Sequence, residues 1–181
     1  MRLVLLGGSL RKASLNTRFL GHLARLLEGQ GHGVAAFAGE ALRLPLYDGD
    51  LPEPPKEVLD LQAALLAAQA LVVVSPEYNA GIPGHLKNAV DWLSTLDASP
   101  WSGLPVLLCS ASPGAFGGAR AMLSWRATLA NMGAFVHPGS VNVPHADTNL
   151  DAEGAPTDPR TVVALGRTLD AFLDTVRKLR A

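Results

Sequence analysis

The chain has 181 residues, 48% of them apolar and 17% charged, with 15 basic and 16 acidic side chains. That length carries one domain with a full core, and the composition excludes a disordered chain. The net charge of -1, with no block of five or six basic residues, argues against nucleic acid or an anionic membrane as the main partner.

Residues 2–7 (RLVLLG) form a continuous apolar run stopped by glycine, the pattern of a strand buried on both faces. Leu15, Phe19, Leu23, Leu26 and Leu27 then share one helical face, with Ser14 as the predicted N-cap. Residues 33–39 (GVAAFAG) read as a weaker strand. After the loop-rich stretch 46–55, Val58, Leu61 and Leu65 mark a second helix behind Pro54 and Pro55. Residues 70–75 (ALVVVS) are the most apolar strand, and Leu86, Ala89, Val90 and Leu93 mark the helix that follows.

Residues 104–110 (LPVLLCS) form the next strand. They hold Cys109, the single cysteine, which reads as a small buried hydrophobe in a reducing compartment. Met122, Trp125, Leu129 and Met132 outline a helix ending at Gly133. Residues 140–143, extended backward by 134–136, form a fifth strand. A second loop-rich stretch, 145–159, precedes a long helix striped by Val162, Leu165, Leu169, Phe172, Val176 and Leu179, whose expected role is packing on the sheet. No apolar run is long enough to span a bilayer or to serve as a signal peptide, so a cytoplasmic protein is expected.

Strand and helix alternate five times. The expectation is a single α/β domain over residues 1–181: a three-layer sandwich around a five-stranded parallel sheet of order 2-1-3-4-5, the flavodoxin-like arrangement. In such sheets ligands bind beyond the carboxyl ends of the strands, near the switch in strand order. Three turn-rich loops leave the sheet there: GGSLRKASLN after the first strand, SPEYNAGIPGHLKN after the third and SASPGAFGG after the fourth.

In the first loop, Gly7 and Gly8 are read as allowing close backbone approach to a ligand. Ser9, Ser14, Asn16 and Thr17 offer neutral donors, Arg11 offers charge, and the following helix offers free N–H groups; together they suit a phosphate. No Walker sequence, no G-x-G-x-x-G and no serine-hydrolase elbow is present. The proline-stiffened second loop suits a flat heteroaromatic ring with hydrogen-bonding edges, and Tyr78 can pack either on a ligand or on the core. The small third loop can border such a ring while leaving one face open. His22, His32, His85, His137 and His145 show no metal-ligand spacing, and His85 reads as a surface residue at a helix start.

The stretches GSLRKASLN, PEYNAGIPGHLKNAVDWLS and SASPGAFGGARAMLSWRATLANMGA resemble the NADPH-dependent FMN reductase family of flavodoxin-like proteins, which includes chromate, quinone and azo-dye reductases. The resemblance runs from Arg2 to about Val143. It implies an FMN cofactor with NADPH or NADH as electron donor and a small-molecule acceptor: a quinone, azo dye, chromate or free flavin. Ser9, Arg11, Ser14, Asn16 and Thr17 would hold the FMN phosphate. Pro76, Glu77, Tyr78 and Asn79 would line the isoalloxazine ring, largely through backbone groups. Ser112, Pro113, Gly114 and Gly117 would border its other side. Catalysis would rest on the flavin with no side-chain acid or base, in a ping-pong cycle. A homodimer or homotetramer is implied, with the helix bearing Lys87, Asn88, Asp91 and Trp92 near the subunit contact. Arg120 and Arg126 are candidates for charge toward a 2′-phosphate. The alternatives are a flavodoxin-type electron carrier without NAD(P)H turnover, a flavin-free phosphate-binding hydrolase and a module that has lost its cofactor.

Overall fold

The computed structural model describes residues 1–50 and 53–180; Leu51 and Pro52, within the loop 46–55, and Ala181 lie outside the described residues. Five strands, β1 (Arg2–Gly7), β2 (Gly33–Ala38), β3 (Ala70–Val74), β4 (Pro105–Ala111) and β5 (Phe135–Val143), pair in parallel in the order β2-β1-β3-β4-β5. The flavodoxin-like topology expected from the strand–helix alternation is the one observed. Among the described residues, six helices connect and cover the sheet: α1 (Leu15–Gly29), α2 (Lys56–Ala67), α3 (Gly84–Ser94), α4 (Ala119–Asn131), the short α5 (Ala146–Asn149) and α6 (Pro159–Arg180).

The alternation of side chains along each strand divides the core in two. Leu3 and Leu5 of β1, with Val72, Leu107 and Val141, pack against Phe19, Leu23 and Leu27 of α1 and Leu165, Leu169, Phe172 and Val176 of α6. Val4 and Leu6, with Leu71, Val73, Val106 and Leu108, pack against Val58, Leu61 and Leu65 of α2, Leu86, Val90 and Leu93 of α3, and Trp125 and Leu129 of α4. The central strands β3 and β4 are buried at every residue, which is why they read as unbroken apolar runs. A fully buried Phe or Leu contributes about 1.5–3 kcal/mol over an exposed one, so these two layers supply most of the stability.

The edges depart from the sequence pattern. β2 is half exposed, and β5 is longer than predicted, running through Pro138 and Gly139 across a register shift opposite Val106 and Leu108. Proline and glycine are tolerated there because β5 is an edge strand and locally irregular. Arg126 of α4 satisfies the irregular backbone by donating to the carbonyls of His137 (2.6 Å), Pro138 (2.9 Å) and Gly139 (3.4 Å). Val162 and Leu179 follow the apolar period of α6 but stand exposed near its two ends. Residues 39–42 form a 3-10 turn that the sequence pattern does not announce.

Cys109 is fully buried, and burial pushes its thiol up to about 12, which makes it inert. Among the described residues, no helix is long and apolar enough to cross a membrane.

Candidate functional site

A cleft of about 380 Å3 opens beyond the carboxyl ends of β1, β3 and β4, at the point where the strand order reverses. Of the thirteen residues singled out in the sequence, nine line it: Ser9, Arg11, Ser14, Asn16, Pro76, Glu77, Tyr78, Ser112 and Pro113. Thr17, Asn79, Gly114 and Gly117 are not among the lining residues. Ala13, Leu15, Ala111 and Asp147 line it as well.

The β1–α1 turn is organised by backbone donors. Ser14 caps α1, its Oγ accepting the Thr17 N–H at 3.1 Å. Thr17 Oγ1 accepts the Ser9 N–H at 3.3 Å, and Ser9 Oγ accepts the Arg11 N–H at 3.2 Å. Each of these oxygens therefore already receives a bond; the Ser14 and Thr17 hydroxyls retain a proton to give, and Ser9 Oγ shares a hydroxyl–hydroxyl bond of 2.9 Å with Tyr78 Oη. The Leu15 and Asn16 N–H groups, in the first turn of α1, have no intrahelical acceptor. Arg11 is exposed at the rim and has no ion-pair partner among the described residues. The turn is thus a concentration of unspent donors, a cation and a positive helix end, which suits a phosphate dianion.

Three residues of this loop act differently from expectation. The Asn16 side chain is buried and committed to one peptide unit of β4, donating to the Ala111 carbonyl (2.7 Å) and accepting the Ala111 N–H (2.8 Å). It fastens α1 to β4, leaving only its backbone N–H toward the cleft. Gly7 and Gly8 approach β3 and α1 rather than a ligand. A Cβ on Gly7 would lie 1.9 Å from the Val74 carbonyl oxygen, and one on Gly8 2.5 Å from Thr17 Oγ1.

At the other end, side chains hold loops. Glu77 reaches 43 residues along the chain to cap α4, its Oε2 accepting the N–H groups of Arg120 (2.9 Å) and Ala121 (3.2 Å). Its Oε1 accepts from Arg120 Nε (2.8 Å), with Arg120 Nη2 at 2.6 Å. Burial opposes the charge of this carboxylate, but the Arg120 and helix-end hydrogen bonds outweigh it and hold its pKa below the ordinary value. The residue preceding α4 is Gly118, in a left-handed conformation with no side chain to cap the helix. That missing cap is the one sequence signal that points to a distant carboxylate.

Asn79 and Ala80 sit at the apex of a tight turn, with φ of +51° and +61°, closed by paired hydrogen bonds between Tyr78 and Gly81. Gly117 packs where a Cβ would lie 2.9 Å from Pro144 N, and its carbonyl accepts from the buried Ser110 hydroxyl. Gly114 accepts the His145 N–H, and Ser112 accepts the Ala146 N–H through its carbonyl. These bonds bring α5, and with it Asp147, to the cleft. No local pattern in the 145–159 stretch announces that placement.

Arg120 and Arg126 are otherwise engaged than as a 2′-phosphate site. The first pairs with Glu77, and the second donates to three carbonyls of β5. His85 is half-buried instead of exposed at the start of α3. Burial lowers its pKa against an opposing hydrogen bond to the Gly8 backbone, and its Nε2 has no partner among the described residues.

The fold is flavodoxin-like, and the cleft lies where such sheets take their ligands. The chain belongs to the NADPH-dependent FMN reductase family, whose model matches residues 1–148. It is 40% identical over 143 residues to a quinone reductase of Escherichia coli K12, covering 75% of this chain and 73% of that protein. It is 36% identical over 182 residues to an NAD(P)H-dependent FMN reductase of Pseudomonas aeruginosa, covering 97% and 95%. It is also similar to the solved structure of FerB, a flavoenzyme NAD(P)H:(acceptor) oxidoreductase of Paracoccus denitrificans, with a TM-score of 0.85, 32% identity and coverage of 98% and 97%. The cofactor is FMN and the electron donor NAD(P)H.

Proposed function

We propose that this protein is a single-domain, cytoplasmic NAD(P)H:acceptor oxidoreductase that reduces a small quinone-like molecule through FMN bound in the 380 Å3 cleft. Azo dyes, chromate and free flavin are further candidate acceptors. The observation that carries the reading is the β1–α1 turn, where the three hydroxyls of Ser9, Ser14 and Thr17 each accept a backbone N–H, Ser14 and Thr17 keep a proton free, and the Ser9–Tyr78 hydroxyl pair keeps one more. Ser9 and Ser14, with Arg11 and the N–H groups of Leu15 and Asn16, would hold the phosphate. Thr17 acts from behind, orienting Ser9 through its N–H.

The backbone of Pro76, Glu77 and Tyr78 would border the ring on one side, and that of Ser112 and Pro113 on the other. Asn79, Gly114 and Gly117 shape those two loops. The Glu77 carboxylate is already spent on α4, so it offers no proton-transfer group. When bound, FMN would supply the hydride and electron-transfer chemistry between NAD(P)H and the acceptor. The chain's own residues anchor, orient and partly enclose it. Donor and acceptor are proposed to use the cleft in turn, giving parallel lines in double-reciprocal plots.

A dimer or tetramer is proposed through the α3 surface. Asn88 and Trp92 fasten the 43–50 loop to α3, with Asn88 accepting the Tyr47 N–H (2.9 Å) and Trp92 Nε1 donating to the Pro45 carbonyl (2.8 Å). Between those two anchor points Leu46 is 79% exposed. Light scattering after gel filtration tests it.

The function is tested by loading the protein with FMN, removing the excess and adding NADPH or NADH without air. Retained yellow colour that bleaches supports the reductase. Retained colour that neither nucleotide bleaches marks an electron carrier instead. Failure to retain or titrate with FMN overturns the reading.

A further inference from the structure

Ser9 Oγ and Tyr78 Oη lie 2.9 Å apart, joining the phosphate-side loop to the ring-side loop across 69 residues of sequence. Ser9 is buried and Tyr78 is 43% exposed. The pair owns two hydroxyl protons and makes one mutual bond. Ser9 Oγ also accepts the Arg11 N–H, at 3.2 Å. Among the described residues neither oxygen has a further acceptor. One proton of the two is therefore always left over, and it stands at the lining of the cleft, where both residues lie.

Which oxygen carries that surplus proton is not fixed by the protein. If Ser9 donates to Tyr78, the tyrosine proton is the free one; if Tyr78 donates to Ser9, the serine proton is free. A dianion beside Arg11 and Ser14 selects the second arrangement, because a charge-assisted bond is about twice as strong as a neutral one. We infer that Tyr78 is a specificity-determining residue for the phosphorylated flavin: its hydroxyl donates to Ser9 and so turns the Ser9 proton toward the phosphate. The bond chain runs Tyr78 O–H to Ser9 Oγ, then Ser9 O–H to a phosphate oxygen, each bond polarising the next. Tyr78 in this role never needs to touch the phosphate. It also ties the position of the ring-side loop to occupancy of the phosphate end.

The inference rests on the FMN reading of the cleft, and its test separates the two. Flavin-free protein is titrated with FMN and with riboflavin, which lacks the phosphate, and flavin fluorescence quenching gives both dissociation constants. The readout is the FMN-to-riboflavin affinity ratio in wild type, Tyr78→Phe, Ser9→Ala and the double variant. Wild type that prefers FMN by less than threefold overturns the FMN reading itself. With that preference present, Tyr78→Phe is expected to cut the ratio three- to tenfold, Ser9→Ala about tenfold or more, and the double variant no further than Ser9→Ala. That last non-additivity is the signature of one relay.

A Tyr78→Phe variant that keeps the wild-type ratio, or weakens both flavins equally, overturns the inference and leaves Tyr78 as a ring contact only. Fully additive losses overturn it too. Phe keeps the ring and its packing, and circular dichroism checks each fold. If Tyr78→Phe is misfolded, Tyr78→Leu, which also lacks a donor, reads the missing hydroxyl in the same cycle, and an unaltered ratio there overturns the inference equally.

Discussion

The two ends of the cleft are built on opposite principles. At the β1–α1 end, side-chain oxygens accept backbone N–H groups, and the Ser14 and Thr17 protons and one proton of the Ser9–Tyr78 pair stay unspent. At the β3 and β4 end, polar side chains are consumed in holding loops: Glu77 on the α4 terminus, and Ser110 on Gly117. The first end is prepared for a charged ligand group. The second presents rigid backbone, which suits the edge of a heteroaromatic ring with alternating donors and acceptors. On the proposed reading, one end anchors the anionic group of FMN and the other orients its ring while leaving it accessible.

Breaking the scaffold beneath both ends should have the largest effect. Gly7→Ala places a Cβ 1.9 Å from the Val74 carbonyl oxygen at a φ of +150°, and is expected to cost about 3 kcal/mol or more in urea unfolding. Next comes the phosphate end. Ser14→Ala removes a helix cap and a free hydroxyl donor together. FMN affinity should fall about tenfold or more, from the loss of a bond to a charged group worth about 1.5–3 kcal/mol, while riboflavin affinity changes little. Fluorescence titration reads both.

Glu77→Gln probes the ring end and should behave differently. It weakens the α4 cap by about 1–2 kcal/mol at pH 7 and lowers FMN and riboflavin affinity alike. The pKa of Glu77 is depressed in the fold, so its charge stabilises the native state above the ordinary value of 4.5. That contribution fades as pH falls from there through the depressed value. The gap between wild-type and variant unfolding free energies should therefore narrow below pH 4.5. The smallest effect is expected from Asp147→Asn. Removing a carboxylate that lines the same cleft should raise FMN affinity about twofold at low salt, with the gain screened at higher ionic strength.

Chemistry that acts between sequence neighbours was legible. β1 and the two central strands read as unbroken apolar runs because both of their faces are covered. Ser14 announces itself as a cap because its partner is three residues away. Long-range chemistry was not legible. The Asn16–Ala111 and Glu77–Arg120 contacts span 95 and 43 residues, so the sequence does not announce that these side chains are engaged in holding α1 and α4. The same holds for Arg126, whose targets are carbonyls exposed by an irregularity in β5 that no apolar period encodes. Asp147 reaches the cleft only because Ser112 and Gly114 bind the start of α5, a contact between two loops of unrelated sequence.

The central claim is that the β1–α1 turn holds the phosphate of FMN in a cage of unspent donors. Phosphorus NMR of the FMN-loaded protein between pH 5 and 8 tests it most directly. Free phosphate monoesters take up their second proton near pH 6. Held by Ser9, Ser14, Arg11 and the α1 N-terminus, the bound phosphate should remain a dianion and its signal should stay flat across the range. A bound signal that moves with a midpoint near 6, as in free FMN, would place the phosphate in solvent and contradict the account.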